Sequence, residues 1–498
     1  MYKKFLLAIV AVLTLASITR LPNLTLWPIF ADESIYVRWS QVMRAESSLR
    51  FLPLSDGKQP LFMWATIPFF KLISDPLLAA RTLAALSGIA TTLGVSLLSW
   101  LIFKNWRITL FSGLLWAVLP YAVFFSRLAL VDSMLAMFVV WGLSFSILAM
   151  QKNRLDMAMI SGFFFGFAWL TKSPAQIALL LLPTTLLFIP KISPKKLLVA
   201  CGLWLVAWSI AIGMYNILRL GPEFHMIALR NLDYVFSFSE LLKHPTDPLL
   251  PHIKDSINFY FYFLTPAGLL FSLWGILAGG RSHWKSKIFL GLWFLLPIIA
   301  LSAVAKAFTA RYILFTAPAA TILIAHAIEH IGIHTKRHRL SILAGLLVFI
   351  PSLVMDYLIQ TDPTLVPLPR IERSGYLEEW TAGFGLSEVA SYIKDASAKR
   401  PVIVGSEGFF GTPFDALQVY LNGVQNVRVI GVGVWIDSVH EKLVSASVEN
   451  QVFLVVNSTR FHHDSPEQLG LKLIASYPKA VRPDGTQEYL LFFEYIPK

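Results

Sequence analysis

Several short stretches of this chain of 498 residues bring ionisable side chains to the ends of long apolar runs, where charge is costly and therefore informative. Asp32 and Glu33 lie in Phe30-Ala-Asp-Glu-Ser-Ile-Tyr36, shortly after the first run. Lys58 follows in Asp56-Gly-Lys-Gln-Pro-Leu-Phe62, and Arg127 and Asp132 share Ser126-Arg-Leu-Ala-Leu-Val-Asp-Ser133. Lys172 sits in Trp169-Leu-Thr-Lys-Ser-Pro174, while Lys306, Arg311 and Tyr312 occupy Val304-Ala-Lys-Ala-Phe-Thr-Ala-Arg-Tyr312. Cations gathered at a lipid boundary can hold a phosphate whose tail stays in the bilayer. A carboxylate beside them can accept the proton of an attacking hydroxyl as that phosphate departs. Transfer of a sugar from a lipid phosphate requires those two functions and no nucleotide. Each residue also has a plainer reading: Asp32 as a helix cap, Arg127 and Asp132 as a capping ion pair, Lys172 as a snorkelling lysine.

The elements that must position these groups are membrane helices. Of the residues 56% are hydrophobic and 14% charged, against roughly 25% charged in a soluble domain. Apolar windows lie near 5–21, 77–103, 108–125, 131–150, 155–171, 175–190, 197–218, 258–279, 288–304, 312–331 and 340–360, about eleven spans. The net charge of +12 does not mark a nucleic-acid binder, because the basic residues occur in small groups between apolar runs. Those groups set the orientation: Lys3 and Lys4; Lys104 and Arg107; Lys152 and Arg154; Lys191, Lys195 and Lys196; Arg281, Lys285 and Lys287; Lys336, Arg337 and Arg339. They fall on alternate connections, which predicts a cytoplasmic N-terminus and an external C-terminus. A secretory leader is the other reading of residues 1–21, but no clear small-x-small cleavage site follows it. All the functional candidates then fall on the external face, and Lys172, Lys306 and Arg311 oppose the charge bias.

Three parts lie outside the membrane on that face: a first loop near 22–76, a second near 219–257, and everything after 361. Residues 361–498 carry sixteen acidic and twelve basic side chains, whereas the rest is strongly basic. Pro401–Gly405, Val427–Gly431, Val452–Asn457 and Tyr489–Tyr495 read as buried strands, with helices at Ser387–Lys399, Pro413–Leu421 and Pro466–Ser476. The fold class is thus a mainly α polytopic membrane protein, residues 1–360, with an external α/β domain at 361–498. Cys201 is the only cysteine, so no intrachain disulfide staples the external parts. Gly405–Gly411 lacks the glycine spacing of a dinucleotide turn and reads as a structural loop. Asn23-Leu-Thr25 and Asn457-Ser-Thr459 match the glycosylation pattern.

Taken together, Asp32-Glu33 with Tyr36, Lys58-Gln59-Pro60-Leu61-Phe62, Val131-Asp132-Ser133, Leu170-Thr171-Lys172-Ser173-Pro174 and Ala310-Arg311-Tyr312-Ile313-Leu314 resemble, in order and spacing, the GT-C type membrane glycosyltransferases. Within them the resemblance is to the branch of protein O-mannosyltransferases and the lipid A aminoarabinose transferase. It implies eleven to thirteen helices, amphipathic helices in the first external loop, a polyprenyl-phosphate-sugar donor and an inverting transfer to a protein, lipid or glycan acceptor. It implies Asp32 as the base, with Glu33 supporting it or meeting the acceptor. Lys58 and Arg311 would contact the donor phosphate, and Tyr36, Asp132, Lys172 and Tyr312 would line the cavity; Arg127 joins the donor-phosphate and substrate candidates on its charge and position alone. Two departures stand out: Gly57 where relatives often have an acid, and Ser173 where a glycine is usual. Some relatives carry a divalent metal near the base; His225, His244 and His252 are irregularly spaced, and His462-His463-Asp464 reads as a polar turn, so the sequence supplies no ligand cluster. A polytopic transporter or flippase of lipid-linked sugars is the rival reading. It would place its charges near the midplane and often repeat its halves, and neither feature is seen. The membrane is expected to be the plasma membrane.

Overall fold

The computed structural model describes residues 2–189 and 192–497, and the chain separates into two compact units. Lys191 lies outside the described residues, as do the side chains of Lys3 and Lys4. The first unit comprises Met1–Leu24, Ser48–Ala65 and Arg81–Thr361. Six of its helices are long and apolar enough to cross a membrane: Pro76–Phe103, Asp132–Lys152, Pro194–Leu220, Trp284–Val304, Ala310–Thr335 and His338–Thr361. Two bent pairs add to these, Trp106–Val118 with Pro120–Ser126 and Leu249–Phe263 with Pro266–Leu277. The remaining predicted runs form shorter apolar helices, Leu6–Arg20, Leu155–Thr171 and Ala175–Phe188. The chain is therefore a polytopic helical membrane protein.

The expected span at 258–279 differs most from its prediction. Its helix begins at Leu249 and breaks at Thr265–Pro266, where the axis turns by 114°. Pro266 opens the second half, and the Thr265 hydroxyl accepts the Gly268 N–H to cap it. Elsewhere small residues set how closely helices approach. A side chain at Gly162 would meet the Ala207 carbonyl at 2.8 Å, and one at Gly275 the Leu323 carbonyl at 2.4 Å. Large apolar side chains such as Leu198, Leu270 and Leu277 point outward, as expected where the solvent is lipid.

The second unit comprises Thr25–Ser47, Thr66–Ala80 and Asp362–Lys498. Segments 25–47 and 66–80, which follow the first apolar run, thus cluster with the C-terminal domain, a grouping that hydropathy does not reveal. Strand β1 (Ile29–Phe30) pairs antiparallel with β2 (Ala382–Gly383). The remaining strands are β3 (Val402–Ser406), β4 (Val427–Gly431), β5 (Gln451–Asn457), β6 (Leu471–Pro478) and β7 (Tyr489–Tyr495). They form one sheet in the order β4-β3-β5-β7-β6, with β3 parallel to both neighbours and β7 antiparallel to both of its own. β5 is buried along nearly its whole length, the pattern of a strand covered on both faces.

The expected helix at Pro466–Ser476 is a correction. Pro466–Leu469 makes one 3₁₀ turn, Gly470 reverses at φ 75°, and Leu471–Pro478 becomes the edge strand β6. Pro478 at its end is tolerated because an edge strand need not donate there. The Glu441–Ala446 helix was not expected at all.

Candidate active site

The charged residues of the first unit assemble around helix ends. Asp132 is the first residue of the Asp132–Lys152 helix, and Lys172 directly follows the Leu155–Thr171 helix. A carboxylate at an N-terminus and a cation at a C-terminus each complement the helix dipole. Lys172 Nζ reaches Asp132 Oδ1 at 2.6 Å, and the Asp132 side chain is wholly buried. The same ammonium lies 4.2 Å from the centre of the Tyr312 ring, and the Arg311 guanidinium lies 5.6 Å from it. Tyr312 belongs to the Ala310–Thr316 3₁₀ turn, which is held in place by the Tyr121 hydroxyl donating to the Ala310 carbonyl.

Lys58 joins this group through its neighbours. Gln59 Nε2 donates to Ser173 Oγ at 2.7 Å, so the loop carrying Lys58 is tied to the turn carrying Lys172. Ser173, one of the two departures from the family pattern, thereby has a function that glycine lacks. The other departure also resolves. Gly57 adopts φ 67°, and a side chain there would meet Arg230 Cβ at 2.7 Å and the Met226 carbonyl at 2.9 Å. The acid is supplied one position earlier: Asp56 lies 3.3 Å from Lys58 Nζ and 2.7 Å from Arg230 Nη2. Arg230, on the Met226–Tyr234 helix of the second loop, is a further cation at this site that the sequence reading missed.

Arg127 is a correction. It is 1% exposed, and its guanidinium donates to the carbonyls of Arg20 and Asn23 at 3.1 and 3.0 Å. It therefore secures the exit of the first helix rather than facing a ligand, and it does not pair with Asp132. Buried Arg20 and Asp356 share this region of charge. Asp356 lies within a predicted apolar run, so an intramembrane carboxylate was a readable signal.

Asp32, Glu33 and Tyr36 belong to the second unit, on the Ala31–Ala45 helix. The helix starts two residues earlier than a capping Asp32 would require, with Phe30 at the cap position. Glu33 closes that start: it is fully buried, and its Oε2 accepts the Phe30 N–H at 3.0 Å. Asp32 is half-buried, and buried Tyr36 follows it by four residues on the same helix face. The two adjacent acids thus divide their tasks, Glu33 shaping the backbone and Asp32 keeping access to solvent.

The histidines do not make a metal site. His244 and His252 line an open pocket of about 360 Å³ with Phe236, Asp247 and Lys306. His252 stacks on Phe308, and its Nδ1 lies 3.1 Å from the Ser302 carbonyl. Among the described residues no group of three or more His, Cys, Asp or Glu side chains has the geometry to hold a metal ion. Asn457 is buried against Glu407, so the second glycosylation pattern falls on an internal residue.

This arrangement of helices, helix-end charges and a C-terminal mixed sheet has relatives. Residues 57–215 match the family described as dolichyl-phosphate-mannose-protein mannosyltransferase. ArnT from Cupriavidus metallidurans, solved in the apo state, is 16% identical with a TM-score of 0.58, covering 99% of this chain and 98% of its own. The same protein bound to undecaprenyl phosphate gives 16% identity and a TM-score of 0.57, covering 100% and 98%. The archaeal oligosaccharyltransferase AglB from Archaeoglobus fulgidus, in complex with an inhibitory peptide and a dolichol-phosphate, is 12% identical with a TM-score of 0.53, covering 98% of this chain and 74% of that one. No match is found by sequence among curated proteins. The chain has the GT-C glycosyltransferase fold. It is a polytopic membrane protein with that fold, and its likeness to ArnT extends over nearly the full length of both chains.

Proposed function

We propose that this protein moves a sugar from a polyprenyl-phosphate-linked donor to an acceptor hydroxyl on the external face of the plasma membrane. The observation that carries the reading is the joined cluster of Lys58, Lys172, Arg311 and Tyr312, on a fold whose solved examples include one bound to undecaprenyl phosphate. Lys58 and Arg311 receive the donor phosphate. Lys172, neutralised by Asp132, holds Tyr312 against the cavity wall. Asp32 takes the proton of the acceptor hydroxyl as its oxygen bonds to the anomeric carbon. The bond from that carbon to the phosphate oxygen breaks on the opposite side, and the phosphate leaves with the electron pair, so configuration inverts. An ordinary aspartate is a weak base for a hydroxyl, so its help grows as charge develops in the transition state. The acceptor is a protein, lipid or glycan, and the basic connections place the N-terminus in the cytoplasm.

The test uses the full-length protein in detergent with a panel of polyprenyl-phosphate sugars, following release of polyprenyl phosphate. Release from one donor that vanishes in Asp32→Asn supports the reading. Equal turnover in wild type and Asp32→Asn removes Asp32 as the base. Binding of a donor without turnover by the wild type favours the transporter, and failure of every donor to bind overturns the reading. Thiol labelling from outside intact cells checks orientation: Asp395→Cys should react and Arg337→Cys should not, both in a Cys201→Ala background.

A further inference from the structure

The residue preceding Asp32 in the helix is tied to the C-terminal domain through its backbone. Ile29 pairs with Gly383 and Phe30 with Ala382 across β1 and β2, and the Ala31 N–H then donates to the Thr381 carbonyl at 3.0 Å. Asp32 follows with no intervening residue. Further along the helix, Arg38 Nε donates to Gln418 Oε1 at 2.8 Å, and its Nη1 to Asn422 Oδ1 at 3.0 Å. Gln41 Nε2 donates to the Val419 carbonyl at 3.1 Å. The helix is therefore held at its start and two turns later by one body, which determines both its axial position and its rotation.

The 379–383 segment that holds the start is itself clamped. Lys479 Nζ donates to the Glu379 carbonyl at 2.8 Å, and the Thr412 hydroxyl donates to the Trp380 carbonyl at 2.8 Å. The Arg460 guanidinium lies 4.1 Å from the centre of the Trp380 ring. Behind Arg460 stands Glu407, at the end of β3, whose carboxylate accepts from Arg460 Nη1 at 3.3 Å. It also accepts from the Asn457 backbone and side-chain amides at 2.6 and 2.7 Å, at the end of β5. A continuous path thus runs from the two central strands through Arg460, Trp380 and Thr381 to Ala31 and Asp32.

We propose that the C-terminal domain belongs to the catalytic machinery: Trp380, Arg460, Lys479 and the β1–β2 pair are positioning elements that set where the Asp32 carboxylate stands. This rests on Asp32 being the base of the proposed transfer. A base displaced by about 1 Å can cost on the order of 10²-fold, so disturbing the support should lower turnover while leaving the grip on the donor phosphate intact.

Gly383 offers a direct wedge, because a side chain there would meet Ile29 Cγ2 at 2.6 Å, the Ile29 carbonyl at 2.7 Å and Leu386 Cδ1 at 2.9 Å. In the full-length protein, Gly383→Ala should lower kcat at least about tenfold. KM for the donor, and Kd for undecaprenyl phosphate, should stay within about twofold of wild type, while hydrogen exchange at the Ala31 amide accelerates. Trp380→Ala should behave likewise, and Trp380→Phe, which keeps a ring under Arg460, should recover most of kcat. Faster exchange at Ala31 with unchanged kcat overturns the proposal, as does joint loss of kcat and undecaprenyl phosphate binding in both Gly383→Ala and Trp380→Ala. If wild type turns over no donor, the transferase reading fails by itself. Exchange then decides the positional claim alone, and an Ala31 amide equally protected in wild type and Gly383→Ala overturns it.

Discussion

Asp32 and Asp132 each stand in the first turn of a helix, and their surroundings differ. Asp132 is wholly buried, with its charge answered at 2.6 Å by the lysine that ends the neighbouring helix. Asp32 keeps partial exposure, and its place is set by backbone bonds at Phe30 and Ala31. The first arrangement uses the carboxylate itself as the fastening, so its charge is committed. In the second, backbone bonds fasten the two residues that precede the carboxylate.

The sharpest way to break the comparison is to neutralise each acid. Asp32→Asn should lower turnover by about 10²–10⁴-fold with little change in melting temperature, measured by polyprenyl phosphate release and by thermal unfolding in detergent. Lys172→Met should act on stability instead. It leaves Asp132 buried without its cation, a loss of about 3–5 kcal/mol readable as a fall in melting temperature. The double variant Lys172→Met with Asp132→Asn should recover much of it, and a double variant no better than the single would show that the pair is not the fastening.

Acidity separates the regions next. Burial raises the Glu407 carboxyl from an ordinary 4.5 to about 7. The folded domain therefore binds a proton that the unfolded chain releases between those values. This contribution is fully present below about pH 4.5 and is lost as pH rises through about 7, on the order of 3 kcal/mol in all. Hydrogen exchange in β5 should thus be slower at pH 5 than at pH 8, after correction for intrinsic rates, and Glu407→Gln should flatten the difference. The smallest effect concerns the phosphate. Lys58→Ala removes one charge-assisted contact and should weaken binding of undecaprenyl phosphate about tenfold, leaving the remaining cations to hold it. An unchanged affinity would move the phosphate away from Lys58.

The membrane helices were legible because apolar length and basic connections are properties of single segments. Lys172 and Arg311 stood out in the sequence for a related reason, since charge at the end of an apolar run is visible without a partner, and the structure brings both against Tyr312. The pairing of Lys172 did not: nothing local says that Asp132 answers Lys172 rather than Arg127, because the choice depends on how two helices pack. Arg230 was hidden among ordinary loop charges. The strand β6 was misread because a 3₁₀ turn followed by Leu471-Lys-Leu-Ile-Ala-Ser has few features that exclude a helix, and its strand character comes from pairing with β7. The support of Asp32 was the least legible of all. Two-residue strands carry almost no pattern, and β1 and β2 acquire meaning only through one another.

That last pairing has a consequence for the order in which the protein comes into being. Ile29 emerges early from the ribosome, but its partner Gly383 lies more than three-quarters of the way along the chain. At about 5–20 residues per second, synthesis of the intervening stretch takes on the order of 20–70 s. The Arg460 and Lys479 supports arrive later still. During that interval the cation-bearing helices can insert and pack while the Asp32 helix lacks its backbone partners. On the proposed transfer, a nascent chain would acquire its lipid-phosphate grip before the power to spend the donor, and catalysis would begin only when the final domain has been delivered and folded.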